Sequence, residues 1–449
     1  MRKLLLIHPC SQSQFSGFGD TAAWGMPPLA LGYVAALTPP SWKIKIVDEY
    51  TDKLDLNEKV DLVGISTYSV NANRAYELAS KFRKRGVAVV LGGIHASMVP
   101  QEASEYADAI VVGEAESIWP KVISDFEKGN LQKTYHGERL SLENLPVPRR
   151  DLISDKYEMD VIQTTRGCPF GCEFCSVTAF NGAEYRMRPV DEVLDELQQI
   201  KKKLVYFIDD NFLGIGHDNG KRALDICKGM ISKRLNKIWV TQASINIGSC
   251  NELLRYAYKS GCRAIYIGFE SIIPETLQEM KKTVNLRIGI DGCKKAIRNI
   301  HAHGICVIGA FIFGNDHDDV TVFKKTLDFI NETGIDVAQL GILTPFPGTK
   351  LFKKLHKENR IISNIFPDDW NKCDTDHIMF MPKNLDIIEL TRGMDYLARK
   401  IFTPKTALSR AVKSFIRTKS ITGAFLSYNF NKDSWANFDT NRKFSLPVS

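Results

Sequence analysis

The feature that most constrains this chain is a regular alternation of short apolar runs with helix-patterned stretches through roughly residues 1–355. Apolar runs fall at 3–8, 44–47, 62–66, 87–91 and 109–112, with helical patterns at 28–37, 71–85, 100–106 and 115–128 between them. βα units at this spacing predict a parallel sheet covered by helices on both faces, with right-handed crossovers. Residues 129–157 are polar, contain Pro146-Val147-Pro148-Arg149-Arg150, and read as a linker. A second series places strands at 160–165, 204–209, 238–242, 264–269, 305–313 and 336–343. Helices fill 189–202, 219–233, 250–260, 285–303, 318–333 and 348–359. Six such units are too few to close an eightfold barrel, so they predict an open one with its chemistry at the C-terminal strand ends. Beyond it come helical patterns at 386–402 and 406–417, then a polar tail.

The fold class is therefore α/β. An N-terminal Rossmann-like doubly wound parallel sheet is expected over 1–140, a partial (β/α)6 barrel over 155–360, and a mainly helical C-terminal segment over 361–449. The net charge of +7 permits an anionic substrate, nucleic acid or membrane surface and demands none of them. No segment reaches the about 18 consecutive apolar residues of a membrane span. The apolar start stops at His8-Pro9 without a cleavage site, so it reads as a first strand and the protein as cytoplasmic. Residues 399–419 are basic and partly amphipathic. Such a face is usually solvated, and it also allows peripheral contact with a membrane or an anionic substrate.

Of ten cysteines, seven are scattered and three fall within eight residues. In a cytosolic chain this argues for one metal centre rather than disulfides. The segment Thr164-Thr165-Arg166-Gly167-Cys168-Pro169-Phe170-Gly171-Cys172-Glu173-Phe174-Cys175 has the spacing C-x3-C-x2-C and follows a predicted strand. Thiolates are the usual ligands of iron–sulfur clusters, and three of them leave one iron of a cubane open. Structural zinc wants four ligands, and the nearest additional candidates, His136, His217 and Cys227, are distant in sequence.

The spacing, the aromatic Phe174 and the βα setting resemble the radical S-adenosylmethionine (SAM) superfamily. The resemblance implies a 4Fe–4S cluster on Cys168, Cys172 and Cys175, with SAM chelating the open iron beside Phe174. It also implies cleavage of SAM by one electron to a 5′-deoxyadenosyl radical that abstracts hydrogen from an unactivated carbon. Further strand-end motifs are Phe207-Ile208-Asp209-Asp210-Asn211-Phe212, Gln242 with Ser244, Ile267-Gly268-Phe269-Glu270-Ser271, Gly309–Gly314 and Leu343–Thr349. They look like those of the cobalamin-binding branch, which implies that Asp210, Asn211, Gln242 and Glu270 hold the SAM amine and ribose. Carboxylates suit an ammonium or a diol as hydrogen-bond acceptors. Helix capping stays open as the role of Asp209–Asn211.

In the first sheet the strand-end markers are Ser66-Thr67-Tyr68, Gly92-Gly93-Ile94-His95 and Gly113-Glu114-Ala115-Glu116. Ligands of doubly wound sheets bind beyond such ends. No G-x-G-x-x-G follows the first strand, which argues against a nicotinamide. Met26–Tyr33 resembles the opening of the family's cobalamin-binding domain. The resemblance implies cobalamin lined by Thr67, Tyr68, Gly92, Gly93, His95, Gly113 and Glu114, with glycines admitting a flat macrocycle. The Asp-x-His-x-x-Gly pattern is missing, so no axial histidine is expected from that motif. His95 reads either as a ligand or as a backbone partner.

The leading expectation is a cobalamin-dependent radical SAM methyltransferase using two SAM molecules, one for the methyl group and one for the radical. No catalytic residue is assigned beyond the cofactor contacts. A low-potential reductant such as flavodoxin or ferredoxin is the expected partner, and nucleic acid is not expected. A cyclase or rearrangement enzyme of the same branch is the alternative. A methylthiotransferase fits less well, because 1–150 holds only Cys10. A corrinoid carrier would need no SAM motifs at barrel strand ends. Substrate and oligomeric state are not written in the sequence.

Overall fold

In a computed structural model, residues 1–10, 25–214 and 220–441 are described. The first sheet contains β1 (Arg2–His8), β2 (Trp42–Asp48), β3 (Leu62–Ser66), β4 (Ala88–Gly92), β5 (Ala109–Val112) and β6 (Thr134–His136). All pairings are parallel and the order is β2-β1-β3-β4-β5-β6. Leu4, Leu5, Leu6 and Ile7 are all buried, as continuous apolar runs require when helices cover both faces. The helix Ala72–Lys84 shows how: Ala72, Ala75, Tyr76, Leu78, Ala79 and Phe82 turn inward at helical spacing, leaving its charged residues outside. The order reverses between β1 and β3, which opens a crevice at their C-terminal ends.

The stretch read as a linker contains β6, whose Tyr135 is buried and bonds Asp125. Three residues flanked by polar chain carry no period that sequence patterning can detect.

The second sheet is also parallel, in the order β14-β13-β12-β11-β10-β7. Its strands are β7 (Met159–Ile162), β10 (Leu204–Phe207), β11 (Ile238–Gln242), β12 (Cys262–Glu270), β13 (Cys306–Phe313) and β14 (Val337–Ile342). β7 and β14 are both edges, so the barrel is open, as expected. The short pair β8 (Thr165–Arg166) and β9 (Arg186–Met187) sits over its first strand end. Val161, Tyr206, Val240, Ala264, Ile308 and Val337 form an inner cluster that also takes Leu29 and Tyr33 from an N-terminal helix and Leu426 from a C-terminal one. Three separate stretches of chain thus share one core.

Two C-terminal features differ from expectation. The polar tail is a helix, Ile421–Asn441, whose Ser427 and Asn431 are buried and donate to the Asp336 carbonyl at 2.9 Å each. Polar residues placed inward hid the helix from a hydrophobic-period reading. Residues 361–382 return to the first sheet, where Trp370, Cys373 and Met379 join its core. There the Trp370 indole donates to Glu102, and Asn73 donates to the Asp368 carbonyl.

Candidate active site

The end of β5 in the first sheet reaches the cysteine loop, where Arg166 donates to Glu114 at 3.0 Å. The cysteine loop leaves β8 and enters the helix Ser176–Asn181. Gly167 (φ +86°) allows the exit, because a Cβ there would lie 2.1 Å from the Glu184 carbonyl oxygen. Two neighbouring carboxylates brace the loop from β10. Fully buried Asp209 accepts from Thr164 N and Oγ1 at 2.6 Å and from Thr165 N at 2.8 Å. Asp210 accepts from Gly167 N at 3.0 Å, and burial pushes its pKa up to about 6.

Burial raises all three loop thiols, Cys172 to about 11. Each stands close enough to Lys282 to be opposed by its positive charge. Among the described residues no three His, Cys, Asp or Glu side chains converge tightly enough to hold a single ion. A zinc ion would draw its thiolates to about 2.3 Å from one centre. A cubane takes its thiolates on separate irons, so three cysteines on one loop suit a cluster. The fourth ligands weighed for zinc do not arrive: Cys227 is buried in the barrel core and His136 is exposed on β6. His217 lies outside the described residues.

Glu270 has the left-handed backbone (φ +64°) that a side chain rarely adopts, at a bulge in β12. Asn285 Nδ2 fixes the bulge by donating to the carbonyls of Gly268 and Phe269, 3.0 Å each. The Glu270 carboxylate pairs with Lys282 at 2.8 Å. Burial lowers the proton affinity of Lys282, but Glu270 and the Cys172 thiol more than offset this, so its pKa is raised. A Cβ at Gly268 would lie 2.2 Å from Glu270 Oε1. Gly268→Ala is therefore expected to push the carboxylate off Lys282 and weaken SAM affinity about tenfold, read by equilibrium binding. Unchanged affinity would separate Glu270 from SAM. Of the other sequence-derived contacts, Gln242 donates to the Asp210 carbonyl at 3.1 Å. Asn211 is buried and committed to Ser244, and Phe174 is partly buried against a cluster containing Met280, Leu343, Leu355 and Phe380.

In the first sheet the candidates separate. Tyr68 stands beyond β3 at the order reversal and is half exposed. Gly92, Gly93 and Gly113 are partly exposed at the strand ends, but the two in the left-handed region answer to the chain itself. A Cβ at Gly93 would lie 2.6 Å from the Thr67 oxygen, and one at Gly113 2.6 Å from the Gly137 oxygen. Thr67 is buried, its hydroxyl donating to the Gly92 carbonyl at 2.7 Å. His95 is fully buried, between Tyr76 Oη and Ser69 Oγ at 3.1 Å each, and burial lowers its pKa so that it is neutral. Both imidazole nitrogens have side-chain partners rather than the backbone partner read from the sequence. His95→Gln is expected to leave the electron paramagnetic resonance spectrum of bound cobalt(II) corrin unchanged. Loss of a nitrogen splitting in the variant would show ligation.

Glu114 is buried in an ion network. Its carboxylate bonds Arg166 (3.0 Å) and Arg186, and Arg166 reaches on to Glu116. Burial alone would raise its pKa, but the two guanidiniums hold it below the usual carboxylate range. Arg166 stands two residues before Cys168, so this buried network ties the first sheet to the cysteine loop. Arg186, Lys282 and the bracing role of Asp209 were missed in the sequence. The one available signal was the pair of acids after β5 facing the arginine of the cysteine motif.

Comparison with known proteins agrees with this geometry. A model of the radical SAM superfamily matches residues 162–330, one of the B12 binding domain matches 18–123, and one of a domain of unknown function (DUF4070) matches 349–435. Bacteriochlorophyllide d C-12(1)-methyltransferase of Chlorobaculum tepidum is 32% identical over 424 residues, covering 91% of this chain and 89% of that protein. Hopanoid C-2 methylase of Rhodopseudomonas palustris is 26% identical, covering 84% and 74%. The solved structure of the cobalamin-dependent SAM radical enzyme OxsB, with aqua-cobalamin and SAM bound, superposes with a TM-score of 0.72. At 16% identity, over 95% of this chain and 72% of that one, it shows a shared fold. A parallel open barrel with three cysteines on its first loop is the architecture of a radical SAM enzyme. With its corrin-type sheet in front, this chain belongs to the cobalamin-binding radical SAM family.

Proposed function

We propose that this enzyme transfers a methyl group to an unactivated carbon, with Cys168, Cys172 and Cys175 holding its 4Fe–4S cluster. The observation that carries the reading is the buried network in which Glu114, at the end of β5, bonds Arg166 beside the cysteine loop and Arg186. When bound, the cluster, SAM and cobalamin supply the electron, the radical source and the methyl group.

The chain's own residues bind and orient. Asp209 and Arg166 fix the cysteine loop. Glu270, held in its strained conformation, and Asp210 present carboxylate oxygens to the SAM ammonium and ribose. Lys282 offsets the negative charge gathered by three thiolates and Glu270. Tyr68 and the Gly92–Gly93 backbone border the corrin.

The names of the relatives, methyltransferases of a bacteriochlorophyllide and a hopanoid, support carbon methylation. A small cleft beside Phe174 is lined by Met280, Leu343, Leu351, Leu355 and Phe380 together with Glu173, Glu279, Asn315, Asp316 and Lys354. Electrons come from a flavodoxin or ferredoxin in the cytoplasm.

The test is anaerobic turnover with SAM labelled by deuterium in its methyl group, over a panel of apolar carbon skeletons. A product carrying the labelled methyl, together with 5′-deoxyadenosine, is expected. A product altered without the label would establish rearrangement or ring closure instead.

A further inference from the structure

The C-terminal helices carry large apolar residues on their outer as well as their inner faces. The helix Pro404–Thr418 buries Ala407, Ala411, Ser414 and Thr418, while Leu408 (59% exposed), Val412, Phe415 and Ile416 (57%) face outward. After a two-residue turn, the helix Ile421–Asn441 buries Gly423, Leu426, Ser427, Asn431 and Phe438 and exposes Ile421 (77%), Phe425 and Tyr428. The spacing 408/412/415/416 makes one continuous stripe, and 421/425/428 repeats it on the second arm. Phe415 and Ile416 precede the turn and Ile421 follows it, so the stripes meet there.

The inward polar residues are satisfied by the barrel. Ser414 Oγ lies 3.2 Å from Cys306 Sγ, and Ser427 and Asn431 donate to the Asp336 carbonyl. This face cannot be turned over without leaving those groups unpaired. Single exposed apolar residues are ordinary, but an apolar stripe on both arms of a docked hairpin marks a surface that meets something.

Charge selects the occupant. From Tyr396 to Lys432 there are eight lysines and arginines and no aspartate or glutamate. Arg410 and Arg417 spend hydrogen bonds on the carbonyls of Ile335 and Gly334, holding the hairpin to the barrel. Lys405, Lys413 and Lys419 are exposed beside the stripe, and no acidic partner is recorded for them among the described residues. A second copy docked through the same face would set these lysines against their own equivalents. An apolar stripe flanked by lysines matches an anionic headgroup layer above acyl chains. No helix among the described residues is long and apolar enough to cross a membrane, so the hairpin lies on the surface.

We propose that the outer face of the hairpin formed by Pro404–Thr418 and Ile421–Asn441 docks this enzyme on an anionic phospholipid bilayer.

The experiment is flotation of the full-length holoenzyme with vesicles of phosphatidylcholine alone or mixed with phosphatidylglycerol, at low and high salt. Mixed vesicles are expected to carry the protein in low salt, and neutral vesicles to leave it behind. The combined variant Lys405→Glu, Lys413→Glu, Lys419→Glu is expected to partition at least about a hundredfold less, from the loss of three surface cations. Leu408→Asn with Phe415→Asn and Ile416→Asn is expected to do likewise. All six sites are exposed, so both variants should keep the parent's cluster absorbance and melting midpoint. No flotation with mixed vesicles would overturn the proposal, as would equal flotation with neutral ones or wild-type partitioning of both variants. So would self-association that both variants abolish, without any vesicle binding.

Discussion

Cys172→Ala is expected to remove the 4Fe–4S cluster and with it all reductive cleavage of SAM, while the first sheet stays folded. Three thiolates are the whole protein contribution to a site-open cubane, and five of the other seven cysteines are sequestered in the core. Cys227, Cys262, Cys293, Cys306 and Cys373 are buried within the packed structure. The first sheet has its own two cores around β1, β3 and β4, which do not include the cysteine loop. Iron per chain should fall from about four towards zero, and the brown absorbance should vanish. Cobalamin binding should remain within twofold of the parent. A variant that still releases 5′-deoxyadenosine at the parent rate would refute the ligand assignment.

Glu114→Ala is expected to cost about 3–5 kcal/mol, because removing one partner of a buried ion network strands the others. Arg186 would lose its carboxylate and Arg166 would keep Glu116 alone. All three side chains are about one-tenth exposed or less, so water cannot take over. The loss falls where the two sheets meet, so denaturation should change from one transition to two as the first sheet uncouples from the barrel. Glu114→Gln keeps the shape and one acceptor and should fall between. An unchanged midpoint with a single transition would show that the network does not join the sheets.

The reach of sequence reasoning follows from sequence separation. The strands β1, β3, β4 and β13 are dense apolar runs, and the cysteine spacing is contained in eight residues, so both are visible locally. The partner of Glu114 is 52 residues away and that of Glu102 is 268 residues away, and no local pattern encodes either contact. Residues were assigned to the corrin because they stood at strand ends. Glu114, His95 and Thr67 also serve the fold there, in an ion network, a buried imidazole between two hydroxyls, and a strand-to-strand hydrogen bond. Lys282 escaped because a lysine before a helix carries no signal until the fold brings it beside Glu270 and the cysteines. The helix Ile421–Asn441 escaped because its inward face mixes Ser427 and Asn431 with Leu426 and Phe438.

One chain holds a cluster on its cysteine loop and a corrin on its first sheet. The most direct measurement of both is an anaerobic metal count with an ultraviolet–visible spectrum, on protein made with iron and hydroxocobalamin supplied. About four irons and one cobalt per chain are predicted, with both chromophores in the spectrum. Iron without cobalt would contradict the role given to the first sheet and remove the corrin from the reaction. Absence of iron would contradict the account at its root.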